Sequence, residues 1–288
     1  MELRPVASVG IVVDSTADLQ SSYYAERDVV MVPLTVRFGQ EAYLDWTDLQ
    51  PDEFYRRLAA SEELPKTSQP SVSQFLDAYN ALSARCDSII SLHLSARLSG
   101  TVQSAEIAAG QLDFPVTVID SKLASLGIAL VLERLLDGRA AGATHDELVS
   151  LCEKVAGSVR TLFYVDTLRY LHMGGRIGRA SALAGSLLKI RPILELGRDG
   201  VVEPYRKVKG SEKVYRELVE AVRRTADGRP VKIAFVHASN TDAVDRLREM
   251  LVAEGVTLDE RFTSYVGCVI GTYLGPGAFG AIFYVDQG

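Results

Sequence analysis

Through the first half of the chain, short β-branched apolar runs alternate with amphipathic stretches of helical period, the pattern of βαβ units closing a mostly parallel sheet. The runs predict strands over Val9–Val13, Val29–Val36, Ser88–Leu92 and Val116–Ile119. The intervening stretches predict helices over Val72–Ser83, Thr101–Ala109, Leu123–Leu136 and Asp146–Ala156. Two strands end alike, in Val13-Asp14-Ser15 and Ile119-Asp120-Ser121. Asp and Ser there cap a helix or form a turn, and the same carboxyl edge is where open α/β sheets bind ligands.

After Gly157 the pattern changes. A strand is expected over Thr161–Val165, then a Gly-rich basic region, then a hairpin in which Asp199-Gly200 joins Ile193–Leu196 to Val201–Val208. Ser211 is read as the cap of a helix reaching about Arg224, followed by a strand at Val231–Val236, a helix at Thr241–Ala253 and a closing strand at Ala281–Val285. The expected fold class is α/β: an N-terminal, mostly parallel βαβ domain over residues 1–157 and a second, α+β domain over 158–288.

Composition agrees with this picture, since 288 residues with 47% hydrophobic and 24% charged side chains suit two globular domains. The net charge of −6 opposes nucleic acid as a partner. From Arg169 to Arg216, however, eleven Lys or Arg stand against four acids, a local excess of seven positive charges. Three widely spaced cysteines, Cys86, Cys152 and Cys268, suit a reducing cytoplasm, and the amino-terminal segment has no apolar run of signal-peptide length. Phe262–Val285 is free of charge, but its five glycines and Pro276 favour two short buried elements over a membrane span.

Several motif matches lack their context. Gly275-Pro276-Gly277-Ala278-Phe279-Gly280 fits G-x-G-x-x-G but opens no helix, and Ser186-Leu187-Leu188-Lys189 fits S-x-x-K without supporting motifs. The four histidines show no metal-ligand spacing, and His172 reads as a surface or capping residue more readily than as an acid-base group. There is no P-loop, no DNA-reading motif and no nucleophile-base pair visible in the spacing. Two stretches rich in hydroxyls remain: Lys66-Thr67-Ser68-Gln69-Pro70-Ser71, read as a loop, and Leu98-Ser99-Gly100-Thr101, which follows a strand and opens a helix. Together they suit an anion, held by hydroxyls and free backbone N–H groups, or are ordinary caps. The basic stretch around Arg176, with Arg206, Lys207 and Lys209 farther on, suits phosphate or carboxylate contacts or is a solvated face.

Taken in order, Val13-Asp14-Ser15-Thr16-Ala17-Asp18-Leu19, Thr67-Ser68-Gln69-Pro70-Ser71, Leu98-Ser99-Gly100-Thr101, Val118-Ile119-Asp120-Ser121, Asp166-Thr167-Leu168-Arg169-Tyr170-Leu171, Gly174-Gly175-Arg176-Ile177, Leu188-Lys189-Ile190-Arg191-Pro192-Ile193-Leu194 and Gly275-Pro276-Gly277 resemble the DegV family of bacterial fatty-acid-binding proteins, which includes the FakB-like subunit of fatty acid kinase. The resemblance spans nearly the whole chain. It implies a long-chain fatty acid enclosed by the two domains, with no other cofactor and no metal. It further implies a carboxyl group near Thr67, Ser68, Ser99, Gly100 and Thr101, and a separate kinase subunit that phosphorylates that carboxyl. Arg176, Arg206 and Lys209 match basic residues expected to face the kinase. Tyr273 stands where the family commonly has a carboxyl-contacting histidine; its phenol donates a hydrogen bond but brings no positive charge near pH 7. Arg191 stands where lysine is common and keeps the charge. A small-molecule phosphotransferase or hydrolase at the Ser99 and Asp120 edge is the alternative reading.

Overall fold

The computed structural model describes residues 8–186 and 191–286. Residues 1–7 and Leu187-Leu188-Lys189 of the S-x-x-K match lie outside the described residues, as does the start of the Leu188–Leu194 motif. The first half holds β1 (Val9–Asp14), α1 (Ser21–Glu26), β2 (Val29–Val32), β3 (Thr35–Phe38), β4 (Glu41–Leu44), α2 (Pro51–Ala60), β5 (Lys66–Ser68), α3 (Val72–Ser83), β6 (Ser88–His93), α4 (Thr101–Ala109), β7 (Val116–Asp120), α5 (Leu126–Ala140) and α6 (His145–Ser158). The second holds β8 (Arg160–Tyr164), α7 (Arg169–Met173), β9 (Arg191–Leu196), β10 (Val202–Val208), α8 (Ser211–Ala226), β11 (Val231–His237), α9 (Thr241–Ala253), β12 (Leu258–Tyr265), α10 (Cys268–Leu274) and β13 (Phe279–Tyr284).

Strands β2-β1-β6-β7 form a parallel sheet, and β10-β9-β8-β13-β11-β12 form a mixed one in which only β11 and β12 run parallel. The α/β class with a second, mixed-sheet unit is therefore present. Every residue of β1, β6 and β13 is buried, which is why these strands read as unbroken apolar runs. Helix α5 is apolar almost all round, with Leu126 through Leu132 and Leu135 buried. One core joins it to β1 and β6 on one side and to Ala234, Ile282 and Tyr284 of the mixed sheet on the other.

Several expectations need correction. The strand read over Val29–Val36 breaks at Pro33, which has no N–H for a ladder; beyond it β3 enters a separate antiparallel sheet, β4-β3-β5. Thr67 accordingly lies on β5, paired with Val36, and not in a loop. The helix expected from Leu123 begins at Leu126, because Lys122 and Ser125 take φ of 57° and 56°. Gly210, at φ +86°, is the N-cap of α8, so Ser211 is its first residue and not its cap. Asp14 does cap a 3-10 turn, but Asp120 and Ser121 accept from N–H groups of the turn leading to Leu123 and cap no helix. The hairpin at Asp199-Gly200 forms as expected, with Gly200 at φ +77° and so close to Ser95 that a Cβ would collide with its hydroxyl. Among the described residues no helix is long and apolar enough to cross a membrane. The uncharged Phe262–Val285 stretch is the end of β12, α10, the Gly-Pro-Gly turn and β13.

Two fully buried acids tie α10 to the first half of the chain. Asp45 accepts the Ser15 hydroxyl at 2.8 Å and the Cys268 N–H at 3.0 Å, at the first residue of α10. Asp18 accepts the Ser125 hydroxyl at 2.5 Å and the Trp46 indole N–H at 3.4 Å. Gly267 packs so closely over Trp46 and Asp18 that a Cβ there would clash with both. Burial disfavours the charged form of each acid. It raises Asp45 to about 7 against the opposing hydrogen bonds from Ser15 and Cys268, and it raises Asp18 well above the carboxylate range.

An acid with a raised folded-state pKa stabilises the fold most below its unfolded value of about 3.9, and that contribution is lost as pH rises through the folded value. Urea denaturation of the wild type should show stability falling between pH 4 and 7. Asp45→Asn should flatten that fall while leaving the Asp18 contribution. An unchanged slope in the variant would rule out Asp45 as its source.

Candidate functional site

A cavity of about 410 Å³ lies between one face of the mixed sheet and the segments carrying β5, the turn before α4 and α10. Its inner wall is set by register: Ile282 pairs with Thr161, and Thr161 with Leu196, so these three neighbours share a sheet face, and all line the cavity. On the same face of β13, Gly280 presents no side chain, and a Cβ would meet the Leu162 carbonyl and Phe163. From α10, Val269, Ile270 and Leu274 close the opposite side. The lining is therefore mostly aliphatic; Thr161 and Ser125 put single hydroxyls on its walls, and most of the other polar groups gather at one place.

That place joins three distant segments. Thr67 of β5 and Tyr273 of α10 bring their hydroxyl oxygens to 2.5 Å. Ser68 and Ser99 line the cavity beside them. The Ser99 hydroxyl lies 2.9 Å from that of Thr101, the first residue of α4, and Ser99 N–H is already donated to the Ser95 carbonyl. Gly100 and Thr101 do not line the cavity themselves. Thr101 is buried behind Ser99, and a Cβ at Gly100 would displace the end of the Gln69 side chain. Gln69, which lines the cavity and donates to Ser104, is a participant that the motif contained but the spacing did not single out.

Arg176 completes the rim. Its Nε donates to the Leu98 carbonyl at 3.0 Å and its Nη1 to the Gly174 carbonyl at 2.9 Å, while its guanidinium lies 5.2 Å from the centre of the Tyr273 ring. The ring also rests on Gly174, where a Cβ would collide with it. One cation thus spans the segment that carries Ser99 and the ring that carries the Tyr273 hydroxyl. Arg206 and Lys209 do not line the cavity: Arg206 pairs with Glu217 at 3.2 Å, and Lys209 is exposed beyond β10. Within the basic stretch Arg179 holds both Asp199 and Glu203, while the other two acids, Glu195 and Glu212, are taken by Arg160 and Arg246 from outside it.

Ser99 and Asp120 are not brought together. Asp120 spends its Oδ1 on the N–H groups of Ala96 and Lys122, and it lines a second, more polar cavity of about 920 Å³. The structure does assemble a hydroxyl-imidazole-carboxylate chain that spacing did not show. Asp14 lies 3.0 Å from His93 Nδ1, and His93 Nε2 lies 2.6 Å from the Ser91 hydroxyl, which accepts from Tyr79. All three are fully buried and none lines either of the two cavities described; the bond between Asp14 and His93 ties β1 to β6 inside the parallel sheet. His172 is exposed on α7 and lines neither large cavity. Among the described residues no three His, Cys, Asp or Glu side chains gather as a metal site.

Comparison with known proteins shows the family. Residues 8–286 match the family model described as an uncharacterised protein, DegV family. A fatty acid-binding protein of Thermotoga maritima is 36% identical, with 94% of this chain and 96% of the relative covered. The solved structure of a fatty-acid-binding DegV family protein from Thermus thermophilus superposes with a TM-score of 0.92 at 35% identity, covering 97% of this chain and all of that one. A stearic acid-binding protein from Eubacterium ventriosum superposes with a TM-score of 0.87 at 25% identity, covering 96% and 98%. With residues 8–286 matched by the family model and a relative 36% identical over 94% of the chain, the chain belongs to the DegV family.

Proposed function

We propose that this protein binds one long-chain fatty acid in the aliphatic cavity and presents its carboxyl group to a separate fatty acid kinase. The observation that carries the reading is a mostly apolar cavity of about 410 Å³ in which Thr67, Ser68, Ser99 and Tyr273 cluster on one rim with Arg176 beside them. Cavities of roughly 300–1,000 Å³ lined by apolar groups with a few placed polar ones are the usual form of a small-molecule site. Relatives described as fatty-acid-binding support the ligand class.

The division of labour follows from magnitudes. Burying fourteen methylenes at about 0.8 kcal/mol each contributes roughly 11 kcal/mol before ordering costs, so the acyl chain supplies the affinity. A buried carboxyl without hydrogen bonds costs several kcal/mol, so the hydroxyls decide which end of the ligand sits at the rim. Tyr273 and Thr67 then share their hydrogen bonds with the carboxyl, while Gly100 and Thr101 hold Ser99 in place. The kinase supplies the nucleotide: a carboxylate oxygen attacks its terminal phosphoryl group, the bond to the nucleoside diphosphate breaks, and an acyl phosphate forms. In this reading Arg206 and Lys209 face the kinase, the protein works in the cytoplasm, and it turns over nothing by itself.

Denaturing extraction of the purified protein followed by mass spectrometry should release a fatty acid of about fourteen to eighteen carbons; preparations that repeatedly yield no lipid would refute the reading. Ser99→Ala should weaken fatty acid binding by about tenfold with an unchanged melting temperature. Arg176→Ala should release the ligand about tenfold faster, since it removes two hydrogen bonds from a charged donor and the contact with Tyr273. Unaltered release by the Arg176 variant would leave the rim role to the hydroxyls alone. Incubation with ATP and fatty acid should give acyl phosphate only when the kinase is added, and product from the isolated chain would favour an enzyme.

A further inference from the structure

The turn that carries Ser99 is tied to the second half of the chain through one buried hydroxyl. Ser95, fully buried and lining neither large cavity, donates its Oγ–H to the Gly200 carbonyl at 2.9 Å, 105 residues away. The same Oγ accepts the Arg97 N–H at 3.1 Å, and the Ser95 carbonyl accepts the N–H groups of Leu98 at 2.9 Å and of Ser99 at 3.2 Å. Gly200 is buried at the tip of the β9-β10 hairpin, where a Cβ would meet Ser95 and the Lys122 backbone. One hydroxyl thus spends both its donor and its acceptor on joining the hairpin tip to the start of that turn.

The hairpin tip is in turn tied to the segment that carries the rim's cation. Arg179 donates to Asp199 through both terminal nitrogens and to Glu203 at 3.1 Å. Gly178, at φ +51°, lies against the Val202 carbonyl of β10. Two residues earlier, Arg176 donates to the Leu98 carbonyl. The contacts close a ring: Ser95 to Gly200, Asp199 to Arg179, Arg176 to Leu98, and Leu98 back to Ser95. We infer that Ser95 is a positioning residue for the carboxyl end of the ligand, fixing through this ring where the Ser99 hydroxyl stands; the inference rests on the fatty-acid reading above. An alanine at position 95 leaves the Gly200 carbonyl and the Arg97 N–H without their partner, and the turn shifts to repair them. Ser99, whose own N–H is held by Ser95, moves with it.

The test is a double-mutant cycle on the delipidated full chain, with palmitate affinity as the readout and melting temperature checked for each variant. Ser95→Ala should weaken palmitate binding about fivefold although Ser95 lines no part of the cavity. Combined with Ser99→Ala it should give the same loss of about tenfold as Ser99→Ala alone, not the roughly fiftyfold of independent effects, because the hydroxyl that it positions is gone. An affinity of Ser95→Ala within about twofold of the wild type, or losses that multiply in the double variant, would overturn the assignment. Asp199→Ala, at an exposed position of the same ring, should behave alike with a loss of about threefold, and it decides by the same criteria if Ser95→Ala does not fold. A wild-type chain that binds no palmitate would instead overturn the fatty-acid reading itself, so the two failures are distinguishable.

Discussion

The rim of the cavity depends on where α10 begins. Asp45, carried by the segment after β4, accepts the N–H of Cys268 at the first residue of that helix, and the helix then delivers Val269, Ile270, Tyr273 and Leu274 to one cavity within two turns. Without a fixed start, the Tyr273 hydroxyl has no reason to meet Thr67, which is 206 residues away in the chain. A buried carboxyl raised to about 7 is a costly anchor, since burial opposes its charge. The fold keeps it hydrogen-bonded from both sides, by the Ser15 hydroxyl and by the helix, and places Asp18 with Ser125 alongside. Because Ser125 also lines the cavity, the same buried cluster supports two of its walls.

That arrangement explains why the chain needs two sheets. A cavity of this size is a hole in a core, and a hole is tolerated only where surrounding side chains cannot relax into it. The mixed sheet gives one rigid face with a glycine on it, and α5, shared between the sheets, keeps that face from sliding against the parallel sheet. The polar rim then lies where three loops and short elements converge, on the open side of this frame. Arg176 belongs to that rim through the Leu98 carbonyl and the Tyr273 ring, so the positive charge that stood out in the sequence acts in part as a structural tie. Lys207 and Lys209, which make no ion pair among the described residues, are among the exposed cations of the basic stretch.

Much of the fold was legible because burial wrote it into the sequence. β1, β6 and α5 are covered on all sides and therefore read as continuous apolar runs. β12 was illegible for the converse reason: it is an edge strand that carries Asp259, Glu260 and Arg261 into half-exposed positions, paired to Lys232, Arg248 and Glu133. The small sheet β4-β3-β5 has strands of three or four residues, too short for alternation to declare itself, and Pro33 hid the change of sheet inside one apolar run. At the site, Thr67, Ser99 and Tyr273 were legible as parts of motifs. Leu196, Ile270 and Ile282 were not, because an aliphatic residue facing a cavity and one facing a core have the same chemistry and the same spacing. Asp18 stood inside a quoted motif, yet its partner Ser125 lies 107 residues on, a separation that no local pattern bridges.

The central claim is an orientation: an acyl chain inside, a carboxyl group at the hydroxyl rim. It is tested most directly by isotope-filtered NMR on the protein loaded with palmitate carrying carbon-13 in the methylene beside the carboxyl in one sample and in the terminal methyl in another. The account predicts contacts from the Tyr273 ring and the Thr67 methyl to the methylene beside the carboxyl, and from Ile282 to the terminal methyl. Contacts from the terminal methyl to Tyr273, with none from the carboxyl end, would contradict it.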